Sequence, residues 1–574
     1  MKETIQKEIE RILKELGIEN PRISFDFPSR MEFGDLSTNA AMVHAKEIGI
    51  KPVDLANQIK EKLRIEDVLH LSRVDVILPG FINFFFDADY FGKVIDKASS
   101  DSHFGENTNL SRQKISIEYT VTNVLKPMHI GHLMGNVIGE SLSRIIENSG
   151  AEVKRNNYQG DSGLHIAKAV WGIRKLEGKI EGTVSEKAEY IGNSYVVGAE
   201  AYDDDEVAQK EIKEINKKIF EKSDTGLLDI YQWGRQASLE HFEELYKKLG
   251  TKFDFYFFES EVVDDALKIV REFLKKGVFE ESQGAVVFHG EKYDPKLHTR
   301  VFITSDGLPM YEAKDIAHAI RKYEAYKFDA SIIVTANEQN EYFKVMLRTL
   351  QEINPEIARK TKHVSHGILK LPSGKMSSRK GNVITGEELI ASIEQRVFEV
   401  MNSHISPERS EGINRDKAKA TIEEVAVGAI KYSILRQAIG GDIIFDFDKS
   451  LSFEGDSGPY LQYATVRANS ILKKAEGIVS SDTTLPSGWM TTSLERILAR
   501  FPDVVEKAER EYAPHYIVTY LIELSGEFNS FYATHKIIDA NDATSSYRLA
   551  LTEAFANVMT KGLDLLGVKV PSQM

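Results

Sequence analysis

Two histidines stand three residues apart, His129 and His132, with Gly131 between them. On a helix, side chains at that spacing share a face. The first turn of a helix also carries free N–H groups and the positive end of the helix dipole. Two imidazoles over such a turn suit an anionic oxygen, and the missing side chain at Gly131 lets a flat or bulky ligand approach the backbone. The chemistry that fits is the holding of a nucleotide phosphate, although two plain surface histidines at a helix start would leave the same trace. A zinc pair fits less well, since the chain has no cysteine and no third ligand stands at a set offset. A second polar cluster lies far downstream, Lys375-Met376-Ser377-Ser378-Arg379-Lys380-Gly381-Asn382, just after Ser373 and Gly374.

The histidines need a strand, a loop and a helix to place them. Ile115, Ile117 and Tyr119 alternate with other residues, a strand-like period. Pro127 disfavours helix at Lys126, so the loop persists to about there. From Gly131, the positions Leu133, Val137, Ile138, Leu142, Ile145 and Ile146 recur at helical spacing, and Asn148, Ser149 and Gly150 close the helix. A strand over Val153 to Tyr158 completes a βαβ unit, the nucleotide-binding half of a doubly wound sheet. In the turn Gly160-Asp161-Ser162-Gly163, Asp161 is placed to cap the next helix.

Further along, about 172–295 is charged and helical in pattern and reads as an insertion. The run Asp203-Asp204-Asp205-Glu206 reads as a solvated helix end rather than a cation site. The second half of the sheet is expected to resume at Arg300 to Thr304, followed by a helix that puts Tyr311 and Asp315 on one face. Ser331 to Thr335 is a buried strand, and the loop Ala336 to Gln339 lies at its C-terminal end, where doubly wound sheets bind ligands. His363 to Leu369 is the last strand before the Lys375 loop. Residues 1–105 form a separate small α/β domain, with one helix face of Ile5, Ile9, Ile12, Leu13 and Leu16 and a second helix from Pro52 to about Leu63. From about 386 to 574 the pattern is nearly all helical. The expected architecture is multidomain α/β: an appended domain (1–105), a Rossmann-like doubly wound parallel-sheet core (106–385) and an all-α bundle (386–574).

Composition bounds the class. A chain of 574 residues with 42% hydrophobic content holds real cores in about three or four domains. No apolar run approaches the ~20 residues that span a bilayer. The start, MKETIQKEIERILKELG, is charged and amphipathic, unlike a signal peptide. Without cysteine there are no disulfides and no thiol nucleophile. A cytoplasmic enzyme without membrane partners is expected. The net charge of −14 argues against nonspecific nucleic-acid binding, but leaves room for an RNA met by local basic patches and shape.

The ordered pair, His-Ile-Gly-His early and Lys-Met-Ser late on an alternating α/β chain, resembles the signature of class I aminoacyl-tRNA synthetases. Three further stretches are similar to one family in that class, the arginyl-tRNA synthetases. They are GDLSTNAA followed by PGFINF in residues 34–84, GPYLQYATVRANSIL from Gly458, and the terminal GLDLLGVKVPSQM. The resemblance covers nearly the whole chain. It implies a ligase that joins L-arginine to ATP as arginyl-adenylate and then moves arginine to the terminal adenosine of tRNA(Arg). It also implies that the first domain contacts the tRNA elbow, that the bundle binds the anticodon, and that bound tRNA is needed before arginine is activated.

By the same resemblance, His129 and His132 hold the ATP phosphates, Gly131 backs the adenosine, and Lys375, Met376 and Ser377 belong to a loop that closes over pyrophosphate. The position after Ser377, often a second lysine in class I, is Ser378 here. Lys126 is a candidate for that missing charge, with Arg379 and Lys380 as alternatives. Glu118, Asn123, Tyr311, Asp315 and Gln339 line the arginine site. Carboxylates suit a planar, permanently charged guanidinium, which they can bind bidentately. Mg2+ is expected to accompany ATP with no protein ligand assigned, no zinc is expected, and a monomer is expected. The competing readings are another adenylate-forming nucleotidyltransferase, against which the long helical C-terminal region argues, and a non-catalytic tRNA-binding relative, against which His129, His132 and Lys375 argue.

Overall fold

Residues 1–28, 30–63, 70–370, 385–403, 415–452 and 454–574 are described by a computed structural model of the chain. Lys375, Met376, Ser377 and their neighbours Ser378, Arg379 and Lys380 lie outside the described residues. The chain divides into two units. The first joins Met1–Phe104 with Arg467–Asp503 and Leu521–Thr560; the second joins Gly105–Val466 with Val504–Tyr520 and Lys561–Met574.

In the first unit, helix α1 (Lys2–Glu15) buries Ile5, Ile9, Ile12 and Leu13 of the expected stripe, while Leu16 is the C-cap and half-buried. Strands β1 (Phe25–Asp26) and β2 (Leu36–Thr38), helices α2 (Ala40–His44) and α3 (Pro52–Lys62), strands β3 (Leu71–Ile77) and β4 (Phe81–Phe86), and helix α4 (Ala88–Ser100) follow. The sheet order is β1-β2-β4-β3, all antiparallel. Gly34 takes a left-handed φ of 97°, and a Cβ there would lie 2.8 Å from the Phe84 carbonyl oxygen. Asp35, buried beside it, accepts from the Phe86 N–H at 2.8 Å and pairs with Arg496.

In the second unit, β5 (Lys114–Glu118), α5 (Ile130–Asn148), β6 (Glu152–Gln159) and α6 (Leu164–Lys175) form the expected βαβ arrangement. Three helices come next, α7 (Val184–Asp204), α8 (Glu206–Glu221) and α9 (Thr225–Leu249), then β7 (Phe255–Phe258) and α10 (Glu259–Lys275). Strands β8 (Glu280–Ser282), β9 (Ala285–His289) and β10 (Thr299–Ile303) precede α11 (Tyr311–Ala325), β11 (Ala330–Ala336), α12 (Asn340–Ile353), α13 (Pro355–Lys360), β12 (Thr361–His366) and β13 (Leu369–Lys370). Five strands make one parallel sheet in the order β12-β11-β5-β6-β7. Read in chain order from the β7 edge, this is the 3-2-1-4-5 winding of a doubly wound fold. The chain reverses direction across the sheet between β5 and β11, and the crevice at that switch point is where such sheets take ligands.

Four expectations need correction. Arg300 to Thr304 does form a strand, but β10 joins an antiparallel sheet, β10-β9-β8, outside the parallel one. Only its last two residues are buried, whereas β11 is buried over Ser331 to Thr335, as a strand covered on both faces must be. The span of about 172–295 is not all insertion, because β7 within it is the edge strand of the parallel sheet. The strand expected over His363 to Leu369 is two pieces: β12 ends at His366, and β13 pairs instead with β14 (Ile443–Ile444). Asp161 does not cap α6, whose N-cap is Gly163 with no side-chain bond. The Asp203 run does mark a helix end, with Asp205 capping α8 through the Val207 N–H at 2.7 Å.

After β13 the described chain resumes with α14 (Gly386–Ser403) and α15 (Arg415–Leu435). Past β14 come α16 (Phe447–Ser450), α17 (Gly458–Ala475), α18 (Ser493–Leu498), α19 (Phe501–Glu511), α20 (His515–Thr534) and α21 (Ser545–Leu565). Apart from the two residues of β14, the described part of this region is helical or loop, as its spacing predicts. Lys431 of α15 is buried and donates to the carbonyls of Leu249 at 2.6 Å and Gly567 at 2.5 Å. One ammonium thereby satisfies two carbonyls at or just past helix C-termini, where a cation is favoured.

Candidate active site

The histidine turn sits where β5 runs out into α5. Three non-glycine residues of the connecting loop take left-handed backbone angles: Thr120 (φ 77°), Val121 (49°) and Leu125 (58°). Such a cluster is a strained backbone, of the kind that collects at functional sites. His129 is the N-cap of α5, and its Nδ1 accepts from the Gly131 N–H at 3.1 Å. That bond leaves Nε2 to carry the imidazole proton. The His129 and His132 rings stack at 3.6 Å with 20° between planes. A Cβ at Gly131 would meet the His129 ring at 2.9 and 3.0 Å, so the glycine makes room for the capping ring.

Burial, with Lys126 adding to it, lowers His129 to about 4. Burial, then His129 and Lys126, holds His132 well below the ordinary imidazole range. At neutral pH both are therefore neutral rings that donate hydrogen bonds rather than cations. Lys126 is half-buried, and burial followed by Lys168 lowers its ammonium. Its Nζ lies 5.4 Å from the centre of the Tyr195 ring. Lys375 is outside the described residues, and the described chain resumes at Thr385. Thr385 bridges to His129, and the Gly386 N–H donates to the Met128 carbonyl at 2.8 Å.

Across the switch point, α11 presents a stripe. Tyr311 opens the helix and is 51% exposed. One turn on, Asp315 Oδ2 accepts from the Tyr342 hydroxyl at 2.5 Å. His318 and Lys322 follow along the stripe, and both donate to Glu118 Oε2 at 2.7 Å. Lys314 of the same helix pairs with Glu259, which also accepts from the Ser162 hydroxyl at 2.9 Å. Three enclosed carboxylates thus share this wall. Burial pushes Glu118 up, but Lys322 and His318 outweigh it and hold the group well below the ordinary range. Burial leaves Glu259 raised despite Lys314. Asp315 has no ion pair among the described residues, and burial, aided by the charges of Glu118 and Glu259 and opposed by the Tyr342 bond, lifts it to about 7. The buried Tyr158 hydroxyl, which senses all three carboxylates, has no hydrogen-bond partner among the described residues.

Asn123 makes an isolated bridge to Gly160, and its Oδ1 occupies the space a Cβ on Gly160 would need. This places Asn123 against the turn after β6. Gln339, exposed, ends the single 3-10 turn that follows β11. Glu118, Asn123 and Gln339 therefore sit at the C-terminal ends of adjacent strands or in the loops that leave them, and Tyr311 and Asp315 sit on the helix that packs Lys322 and His318 against Glu118. Sequence reasoning missed Lys314, His318, Lys322 and Glu259. A signal existed for two of them, since His318 and Lys322 continue the helical spacing of Tyr311 and Asp315. Asp161 gains a different role: its carboxylate accepts from the Ser260 N–H and hydroxyl, both at 2.8 Å, and from Arg235 Nε at 3.0 Å. Among the described residues no cluster of three or more His, Asp or Glu side chains could hold a metal ion, and no helix is long and apolar enough to cross a membrane.

Comparison with known proteins bears on all of this. The family described as tRNA synthetases class I (R), catalytic domain, matches residues 95–447. The DALR anticodon binding domain matches 461–574, and the arginyl tRNA synthetase N terminal domain matches 1–86. The arginine–tRNA ligase of Streptococcus thermophilus is 33% identical over 580 residues, covering 100% of both chains. That of Fusobacterium nucleatum is 33% identical over 552 residues, 94% of each. Among solved structures, the Thermus thermophilus arginyl-tRNA synthetase superposes with a TM-score of 0.83 at 23% identity over 100% of both chains. The Plasmodium falciparum arginyl-tRNA synthetase gives 0.79 at 19% identity over 100% of this chain and 99% of that one.

Proposed function

The chain belongs to the class I arginyl-tRNA synthetases, and from that premise we propose how its residues carry out the reaction. It is an ATP-dependent ligase that activates L-arginine and transfers it to tRNA(Arg). In the first step an oxygen of the arginine carboxylate attacks the α-phosphorus of ATP, and the bond to pyrophosphate breaks. In the second, a hydroxyl of the terminal adenosine attacks the acyl carbon and AMP leaves.

Charge develops on phosphate oxygens during activation, so fixed donors aimed at them lower the barrier most. His129 Nε2–H and the His132 ring are such donors, and Gly131 backs the adenosine. Being neutral, the imidazoles add hydrogen bonds without a full charge. The cations fall to Lys126 and Lys375, with Met376 and Ser377 beside the latter, and Lys126 supplies the charge that Ser378 lacks. Mg2+ enters with the ATP phosphates. A requirement for bound tRNA in the activation step goes with this reading.

Selection of arginine rests on one observation above the others. Of three enclosed carboxylates on the wall, Glu118 and Glu259 have lysine partners, and among the described residues Asp315 has only a tyrosine hydroxyl. A wall with one uncompensated carboxylate suits one permanent cation. Asp315 therefore takes the guanidinium, with Tyr311 over it, Glu118 at its edge, and Asn123 and Gln339 toward the α-amino and carboxylate groups. The domain assignment proposed is 1–105 for tRNA contact, 106–385 for catalysis and 386–574 for the anticodon, in a cytoplasmic monomer.

The test is ATP–pyrophosphate exchange with each standard amino acid, with and without tRNA. Exchange with arginine alone is expected, and only when tRNA is present. Exchange with another amino acid would reject the pocket, and arginine exchange without tRNA would remove the tRNA requirement.

A further inference from the structure

An arginine pocket that contains a buried lysine poses a physical problem. Lys322 is 2% exposed and sits in the second turn behind Asp315, where its charge opposes that of any bound guanidinium. Its Nζ donates to Glu118 at 2.7 Å, and the neutral His318 ring donates from Nε2 to the same oxygen at the same distance. Both bonds fall on Oε2, and neither engages Oε1. The His318 ring is itself held flat against Tyr158, 3.8 Å between centres and 6° between planes. Glu118 ends β5, immediately before the strained loop that leads to His129. Tyr311, Asp315, His318 and Lys322 occupy successive turns of one face of α11. The helix that receives substrate at its start thus anchors, further along, a carboxylate on the neighbouring strand.

We propose that Lys322, with His318, is a positioning residue for amino-acid selection, which fixes the Glu118 carboxylate by one oxygen and leaves Oε1 turned to the substrate. Two ends of one substrate cation then meet carboxylates whose separation is set by a single rigid helix. This rests on the reading that Glu118 lines the arginine site. Removing Lys322 frees Glu118 to rotate and to take up a proton, so the gain from deleting a repulsive charge is outweighed by loss of a placed acceptor.

The experiment is steady-state aminoacylation by the full chain at saturating tRNA, for Glu118→Gln, Lys322→Met, Lys322→Arg, His318→Leu and the Glu118→Gln/Lys322→Met pair. Lys322→Met is expected to raise KM for arginine about tenfold with KM for ATP little changed, and Lys322→Arg to restore part of that. Because Lys322 acts through the Glu118 carboxylate, the double variant is expected to be no worse than the worse single one. Independent, multiplying effects would overturn the proposal. So would an unchanged arginine KM in Lys322→Met while Glu118→Gln raises it, an outcome that leaves the pocket reading standing. An unchanged arginine KM in Glu118→Gln would instead reject Glu118 as a pocket residue, and the proposal with it. Should Lys322→Met not fold, His318→Leu removes the other donor without touching a charge; a raised arginine KM supports the proposal and an unchanged one rejects it.

Discussion

The Tyr342 hydroxyl donates to Asp315 Oδ2 at 2.5 Å, and that is the only hydrogen bond or ion pair to the Asp315 side chain among the described residues. The carboxyl is lifted to about 7 by burial, with Glu118 and Glu259 adding to it and Tyr342 and Lys314 opposing. In the proposed pocket the guanidinium needs the ionised form of Asp315, so below about pH 7 arginine must displace a proton. KM for arginine is expected to fall as pH rises from 6 to 8, by up to about tenfold per pH unit below the titration and not at all above it. Asp315→Asn should raise KM overall and flatten this profile. A flat profile in the unaltered enzyme would mean that Asp315 is already ionised when empty.

The same shift bears on stability in the opposite sense. A carboxyl raised in the folded chain and ordinary in the unfolded one keeps its proton longer when folded. Asp315 therefore contributes stability below about pH 4 that is lost as pH rises through about 7. Chemical denaturation at pH 5.5 and 8 should show the ligand-free enzyme losing part of its stability at the higher pH. Saturating arginine with ATP should reduce that difference, because ligand binds the ionised form. Asp315→Asn should lack it.

His129 does two things, and substitution can separate them. As N-cap it offers Nδ1 to the Gly131 N–H, and as a candidate phosphate donor it offers Nε2–H. Asparagine caps helices well and lacks the second nitrogen. His129→Asn should keep stability near that of the unaltered chain while kcat for adenylate formation drops. His129→Ala should lose activity and also about 1 kcal/mol of stability. Equal stability for the two variants would show that the cap contributes little.

Gly131→Ala tests the space beneath that ring. The added Cβ would approach the His129 ring to 2.9 Å, and the ring, being a side chain, can give way. Displacement of the ring, rather than unfolding, is the expected outcome. The melting temperature should move little while kcat/KM for ATP falls by about tenfold or more. Normal ATP kinetics would show that the ring's position is not critical.

The doubly wound sheet was legible because its elements carry strong periodicity. The stripe of α1 and the run from Leu133 to Ile146 each lie where the spacing predicts. Misreadings came where pattern is silent about partners. Arg300 to Ile303 is a strand by any local test, but nothing local says that its neighbour is the β8–β9 hairpin, whose turn at Gln283-Gly284 takes two positive φ angles. β7 is four aromatic residues inside a charged helical region, so its place at the sheet edge was hidden. At the site, the residues proposed to meet substrate could be picked by motif. The residues behind them could not: Lys314 and Lys322 on a charged helix read as solvent-facing, since lysine is rarely buried unless paired, and their partners Glu259 and Glu118 are remote in sequence.

Asp161 was hidden from local pattern in the same way. Its carboxylate is almost wholly buried and collects donors from three side chains and a backbone: the Ser260 N–H on Oδ1, and Ser260 Oγ, Arg235 Nε and the Tyr231 hydroxyl on Oδ2. These groups come from α9 and α10, so one acid in the turn after β6 joins the long helix to the edge of the sheet. Asparagine has the shape but can accept on one side only, and its amide nitrogen would face Arg235 or Ser260 as donor to donor. The Arg235 guanidinium, 4.0 Å from the centre of the Phe258 ring, would keep its charge and lose its only salt bridge among the described residues. Leaving donors that faced a buried carboxylate unmatched in this way costs about 1–3 kcal/mol. Asp161→Asn should therefore lower the denaturation midpoint clearly. Because Gly160 next to it bridges Asn123, it should also raise KM for arginine more than KM for ATP. Loss of stability with normal arginine kinetics would confine Asp161 to the fold, while no loss of stability would mean that water replaces the carboxylate at little cost.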